Sequence, residues 1–508
     1  MPFVHPNPTE LNMFLKSTAI TSLSLLLFVT CFPATGLDIT FEDVTEAAGL
    51  AELGGDMAAW ADYDNDGDPD VVADHLFRNN GDGTFTRADD AGISGSGCWG
   101  DFDNDGDLDF YDRTGGGTLS RNLGNGMFES VAIPANPGNR ARSAAWGDVD
   151  GDGFIDLFVP NHEDWLTDKN HWRAYPDYLY RNNGNDTFSI VWASPHKKQY
   201  CGRGVNFADF DYDGDQDAYI SNYRLMPNVF WINDGNGNFT DEAKARGVVG
   251  DADGPDIPAV PGSPPFKCHG HTIGSCWGDV NNDGYFDLVV VNFAHGAGYQ
   301  DRCKVLLNSG PPNYTFAPGP SGAQAGIYYQ ESYAKGTLGD YDNDGDLDLF
   351  ISTVYGHNHC ELYENDGTGN FKPVGEGTGV QLRNTYQAAW TDYDNDGNLD
   401  LTTGEHLFRN SGSGNNWVKV KVVGDAGTNR AGIGTRVQVT AGDKSQIRQV
   451  SGGNSGNQNP LVLHYGLGAF DGPVTITAFF PSGRQGNWET APGKTLVIKE
   501  SEANDRWL

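Results

Sequence analysis

Seven copies of an aspartate-rich nonapeptide, D-x-[DN]-x-D-G-x-x-D, constrain what this 508-residue chain can fold into more than any other feature. They begin at Asp62, Asp101, Asp148, Asp209, Asp279, Asp340 and Asp392, so successive copies lie 39, 47, 61, 70, 61 and 52 residues apart. Periods of about 40 residues or more are those of a four-stranded β unit repeated around a ring. The expected fold is all-β, with a seven-bladed β-propeller as its main body.

The nonapeptide also points to its ligand. Oxygen donors crowded onto a short loop, with a glycine at position six for the sharp turn, suit Ca²⁺. Positions one, three, five and nine offer side chains, and position seven offers its backbone carbonyl. The set reads Asp62, Asp64, Asp66, Asp68 and Asp70 in the first copy and Asp101, Asp103, Asp105, Asp107 and Asp109 in the second. The third has Asp148, Asp150, Asp152, Phe154 and Asp156, the fourth Asp209, Asp211, Asp213, Asp215 and Asp217. The fifth has Asp279, Asn281, Asp283, Tyr285 and Asp287, the sixth Asp340, Asp342, Asp344, Asp346 and Asp348, the seventh Asp392, Asp394, Asp396, Asn398 and Asp400. Up to seven Ca²⁺ are expected, bound weakest at the fifth loop, where Asn281 replaces an Asp. The mixture at position seven makes sense if only its carbonyl is needed. An EF-hand is excluded, because position twelve holds no Glu and flanks such as Asp287-Leu-Val-Val-Val-Asn292 are strand-like. A metal-free hairpin is disfavoured by repulsion among carboxylates packed this closely.

The net charge is −36, and 31 of the 69 acidic residues lie in these loops. Seven Ca²⁺ would leave about −22, which argues against nucleic acid or an anionic membrane as partner. Residues 1–36 read as a secretory signal: Lys16, an apolar stretch from Ala19 to Phe32, then Ala34-Thr35-Gly36 as the cleavage site. Met13 is an alternative start. Lipid attachment at Cys31 is the weaker reading, because Phe28 and Thr30 fit that signal poorly. No later segment is long and apolar enough for a membrane helix. The expected location is secreted and extracellular, or periplasmic or cell-surface, where millimolar Ca²⁺ fills weak sites. Cys98, Cys201, Cys268, Cys276, Cys303 and Cys360 then remain. They permit three disulfides, while Cys98 and Cys276, each just before a Trp, also read as buried thiols.

After each acidic loop comes an apolar strand ending in Asn, as in Leu76-Phe-Arg-Asn79 and Leu179-Tyr-Arg-Asn182, followed by Gly-containing residues and, in six copies, a Phe. This is a hairpin signal, and it brings each unit to four strands. After Asn410 the seventh unit runs into Asn416-Trp-Val-Lys-Val420 without a fourth strand, whereas residues 38–50 have the form of one. The N-terminus is expected to complete the last blade and remove the exposed edges of an open array. Trp60, Trp99, Trp146, Phe207, Trp277, Leu338 and Trp390, each two residues before a first Asp, read as inter-blade core.

Histidines collect in the segments expected on the face opposite the acidic loops. His162, Trp165, His171, Trp172 and His196 come from the third unit, and His269, His271, His295, His357 and His359 from the region of the fifth and sixth. The pairs His269/His271 and His357/His359, with His295, define a second candidate site at the channel mouth. It suits a transition metal, or acid/base chemistry on an acidic polysaccharide in a lyase-like manner. The competing reading packs these residues against Trp and Tyr as ordinary loop histidines. Gly95-x-Gly97-x-x-Gly100 leads into an acidic loop rather than a helix, so a dinucleotide site is discarded.

These repeats resemble the FG-GAP/VCBS family of seven-bladed propellers, the architecture of the integrin α-subunit head, over residues 38–415. Residues 416–500 resemble the ASPIC/UnbV domain in Thr428-Asn-Arg-Ala-Gly-Ile-Gly-Thr-Arg436, His464-Tyr-Gly-Leu-Gly468 and Phe480-Pro-Ser-Gly483, with Phe480 where that family usually has Trp. Alternating strands such as Trp417-Val-Lys-Val-Lys-Val422 independently suggest a small β-sandwich there, with 501–508 as a tail. The pairing is similar to the cartilage acidic protein-like family. It implies extracellular Ca²⁺ binding and recognition or adhesion toward a protein or glycan ligand, with no established chemistry.

Overall fold

The computed structural model describes residues 39–55, 57–165, 172–195, 200–251, 256–257, 266–267, 269–296, 300–503 and 505–506. The signal-like segment 1–36 with Cys31, and His171, His196 and Cys268, lie outside the described residues. Seven four-stranded antiparallel sheets follow the acidic repeats one for one. Their innermost strands are Ala59–Ala61, Gly97–Gly100, Ala145–Gly147, Cys201–Ala208, His271–Gly278, Tyr333–Gly339 and Ala388–Thr391. Each neighbours the next, and the seventh neighbours the first, so the ring closes. Closure uses the N-terminus: Phe41–Asp43 pairs antiparallel with His406–Asn410, Phe41 opposite Asn410. Among the described residues of the segment 38–50, only Phe41–Asp43 is strand; a turn follows. The first blade is irregular, with its second and third strand positions run together as Asp70–Asn79.

The expected aromatic core is there. Trp60, Trp99, Trp146 and Trp390 are at most 1% exposed, and each indole N–H donates to the preceding blade: Trp99 to Ala59 O at 3.2 Å, Trp146 to Cys98 O at 3.3 Å, Trp390 to Thr337 O at 3.4 Å and Trp60 to the Thr402 hydroxyl at 3.1 Å. The residue after the aromatic is often Gly because the next blade's aromatic occupies that space. A Cβ on Gly339 would lie 2.6 Å from Trp390.

The asparagine that ends each third strand does more than close a hairpin. Its side-chain amide donates to the backbone carbonyl at loop position two of the preceding blade in all seven blades, at 2.7–3.1 Å, from Asn122 to Tyr63 around to Asn79 to Tyr393. Removing one such amide orphans a buried carbonyl. Asn182→Ala, which frees Phe102 O and the Gly184 N–H, is expected to cost about 2–3 kcal/mol in denaturant unfolding.

The C-terminal region forms two facing sheets. One orders Leu463–Gly468, Asn416–Val423 and Lys494–Lys499; the other orders Lys444–Gln449, Arg436–Ala441, Val474–Phe479, Arg484–Thr490 and Asp505–Arg506. The last strand pairs Arg506 with Arg484, so this sheet runs past residue 500 into the segment set down as a tail. Val418, Val420, Val437, Val439, Ile476 and Phe480 fill the space between the sheets, and the same cluster continues into Trp146 and Ile155 of the propeller. Cys98, Cys201, Cys276, Cys303 and Cys360 are buried free thiols, so the disulfide alternative is not realised among the described cysteines.

Candidate functional sites

Each acidic loop is built by its own hydrogen bonds. In six loops the glycine at position six donates its N–H to the position-one carboxylate, as Gly106 does to Asp101 at 2.9 Å. The N–H of position seven donates to position five in all seven. Position four is left-handed in every loop, with Asn65, Asn104, Gly151, Tyr212, Asn282, Asn343 and Asn395 at φ between 55 and 68 degrees, a region Asn and Gly enter most readily. Side-chain oxygens from Asp62, Asp64 and Asp66, from Asp101, Asp103 and Asp109, from Asp148, Asp150 and Asp156, and from Asp209, Asp211 and Asp213 lie within 4.8 Å of one another. Burial pushes Asp101, Asp148 and Asp209 up to about 7, with the neighbouring carboxylates adding to it.

Position nine has a second task. In six loops one carboxylate oxygen accepts the N–H of position two and the other that of the hairpin asparagine, as Asp109 does from Phe102 at 3.0 Å and Asn122 at 2.8 Å. Position seven is not idle either. The position-four asparagine of the preceding blade donates to Asp107, Asp346 and Asp68, linking loop to loop around the ring. Where Tyr212 and Tyr285 stand instead, they stack at 5.7 Å. In the fifth loop Asn281 donates to Asp283 at 2.9 Å, so an internal hydrogen bond replaces one charge.

The C-terminal domain lies over these loops. Lys419 Nζ is 2.6 Å from Asp392 and Lys421 Nζ 3.3 Å from Asp62. The Gly466 N–H donates to Asp340 at 3.0 Å, and the Arg436 guanidinium stacks 3.6 Å from the Tyr212 ring centre. Between domain and propeller is a cavity of about 850 Å³, bordered by Asp62, Asp101, Asp340 and Asp392 and by Trp277, Trp390 and Trp417.

From the same domain, Ser451–Asn459 enters the central channel and bonds to every blade. Gln458 pairs its side-chain amide with both the N–H and C=O of Trp99, at 2.6 and 3.0 Å, and its backbone with Ala58 and Trp60. Ser455 meets Asn206 and Ser275; Gly452 O accepts from the Trp146 N–H; Asn459 reaches Trp390 and Thr337. Innermost strands expose one row of unpaired N–H and C=O groups, and an uncharged loop of Asn, Gln, Ser and Gly can satisfy both kinds.

On the opposite face the two H-x-H pairs do not act as a foursome. His295 Nδ1 and His357 Nε2 converge on Glu331, at 2.8 and 3.2 Å. His271 packs tilted against Tyr223 at 4.6 Å and meets His295 edge-on at 5.8 Å. His359 instead bonds to Cys360 O at 3.1 Å, and the His269 backbone N–H to Leu225 O. Burial pushes His271 down to about 3, so it is neutral at neutral pH. His162 belongs to a separate buried group with Glu163 at 2.5 Å and Cys201, where Arg224 also pairs with Glu163 at 2.8 Å.

The FG-GAP-like repeat family matches residues 101–159, 279–351 and 340–403, and the ASPIC and UnbV family matches residues 424–505. Cartilage acidic protein 1 of Mus musculus is 26% identical over 325 residues, 56% of this chain and 43% of its own length. The Homo sapiens protein is 26% identical over 326 residues, 59% of this chain and 44% of its own length. The chain thus spans less than half of the curated relatives it matches. Among solved structures, BBS1N in complex with ARL6DN aligns with a TM-score of 0.42 at 10% identity, covering 73% of this chain and 96% of that one. Among the described residues no helix is long and apolar enough to cross a membrane. The chain thus carries FG-GAP-like repeats and an ASPIC and UnbV domain, with weak homology to cartilage acidic protein 1.

Proposed function

We propose that this chain is an exported recognition protein whose propeller is held in shape by Ca²⁺ in its acidic loops. One observation carries the metal. Nine buried carboxylate oxygens, on Asp64, Asp103, Asp148, Asp150, Asp209, Asp211, Asp215, Asp217 and Asp392, have no hydrogen-bond partner. Leaving carboxylate oxygens buried and unmatched is costly, and a hard divalent cation with oxygen ligands relieves it. An all-oxygen donor set fits a transition metal less well. Positions one, three, five and nine supply the side chains and position seven the carbonyl, with the fifth loop weakest because Asn281 is already bonded to Asp283.

Export rests on the signal-like segment 1–36 and on kinship with cartilage acidic protein 1. Recognition rests on the same kinship and on geometry: the C-terminal domain covers the loop face, so a protein or glycan partner meets the opposite face. Acid/base chemistry on an acidic polysaccharide is the second reading, favoured by the neutral His271 ring with its Nδ1 unpartnered beside Tyr223. Elemental analysis of protein purified without chelator tests the metal. Roughly six or seven Ca per chain is the expected result; fewer than about two would overturn it.

A further inference from the structure

Arg203 stands apart in a chain with 69 acidic and 33 basic residues. It comes from the innermost strand of the fourth blade, at the channel end opposite the acidic loops. Its guanidinium lies 4.5 Å from the Tyr223 ring centre and donates to the Tyr386 hydroxyl of the seventh blade at 3.3 Å. Its Nε is a buried donor with no partner. The nearby carboxylates are committed elsewhere: Glu163 to His162 and Arg224, Glu331 to His295 and His357. Among the described residues, Arg203 is therefore a half-buried cation whose only hydrogen bond is to a neutral hydroxyl.

Two further features mark the same place. Tyr386 holds φ at 53 degrees, and Arg224 and Leu225 hold 63 and 59 degrees, a left-handed region that bulky residues avoid. From Tyr223 a strip of rings runs outward: His271 at 4.6 Å, then His295 at 5.8 Å, Phe293 at 4.9 Å and Tyr355 at 5.2 Å, each from the one before. It ends in the open, with Tyr355 39% exposed. The channel behind is stopped by the loop Ser451–Asn459, so the mouth is blind.

We propose that Arg203, with Tyr386, Tyr223, His271, His295 and Tyr355, forms a binding site for an acidic saccharide. Arg203 takes a uronate-type carboxylate, and the accessible rings of Tyr223, His295 and Tyr355 pack on the sugar rings that follow, with His271 backing them. The assignment rests on the recognition reading above. An arginine with a free donor matches a carboxylate, and the accessible rings of Tyr223, His295 and Tyr355, backed by the buried His271 and Phe293, suit flat apolar sugar faces better than an extended acidic peptide.

The test is calorimetric titration of the Ca²⁺-loaded protein with an oligogalacturonate, with the same oligosaccharide after reduction of its carboxyls to alcohols, and with poly-glutamate. The acidic sugar binds, and the reduced one binds at least about tenfold more weakly, the worth of one charge-assisted contact. Arg203→Ala loses about the same factor, and Tyr355→Ala, at the exposed rim, also weakens binding, with both melting curves unchanged. The proposal is overturned by no binding of the acidic sugar, by equal binding of its reduced form, by equal or tighter binding of poly-glutamate, or by unaltered affinity in both variants. A melting curve indifferent to chelator on the same samples counts against Ca²⁺ instead, so the two failures are distinguishable.

Discussion

Chelation of divalent cations is expected to lower the melting temperature of this protein by about ten degrees or more. A ligand at 10 to 100 times its dissociation constant adds about 1.4–2.7 kcal/mol per site, and seven loops sum to the order of 10 kcal/mol. Without metal the carboxylates must either repel one another or take up protons. Burial raises Asp101, Asp148 and Asp209 to about 7 and Asp279 to about 6. A raised carboxyl binds its proton more tightly when folded than when unfolded, so the metal-free chain is most stable at low pH and loses stability as pH rises through these values. Bound Ca²⁺, on the proposed reading, would hold the same groups ionised throughout. The gap between melting temperatures with and without chelator should therefore widen from pH 5 to pH 8. A gap that is constant or narrows with pH would contradict the assignment of Ca²⁺ to these carboxylates.

Substitution of Gln458 by Ala should be among the most damaging single changes in the C-terminal domain. The residue is 1% exposed and its amide satisfies both backbone groups of Trp99 deep in the channel. Losing it leaves a buried N–H and a buried C=O unpaired, at about 1–3 kcal/mol each. Denaturant unfolding of Gln458→Ala should show a loss of about 2–6 kcal/mol. Asn487→Ala, which removes only an exposed bond to Thr477, should stay within about 0.5 kcal/mol of the parent. Equal stability of the two variants would mean that the inserted loop contributes little to the ring.

The ring, its closure and its loops were legible because each leaves a repeated mark on the chain. Seven nonapeptides count the blades, and a hairpin without a fourth strand after Asn410 points to Phe41–Asp43. The aromatic two residues before each loop is core because that position recurs next to a buried strand. What was not legible lacks such a mark. Ser451-Gly-Gly-Asn-Ser-Gly-Asn-Gln-Asn459 has neither period nor charge, and its polar amides read as an ordinary loop until the channel around them is known. The hairpin asparagines recur seven times, yet their reach into the preceding blade depends on how blades pack. The histidine pairs misled for the opposite reason: residues two apart share a face only within a strand, and of the four only His271 lies in one, at its first residue, so His271 faces Tyr223 while His359 turns to the Cys360 carbonyl.

The closing strand also sets a schedule for making the molecule. His406 and Asp43 are 363 residues apart in sequence yet 2.8 Å apart in space. A chain emerging from its N-terminus must hold Phe41–Asp43 without its sheet partner until nearly all the blades exist, and the channel stays open until the loop at Ser451–Asn459 has followed. For tens of seconds at ordinary synthesis rates of about 5–20 residues per second, sheet edges and inner strands are uncovered, which is when strand-to-strand association between chains is most available.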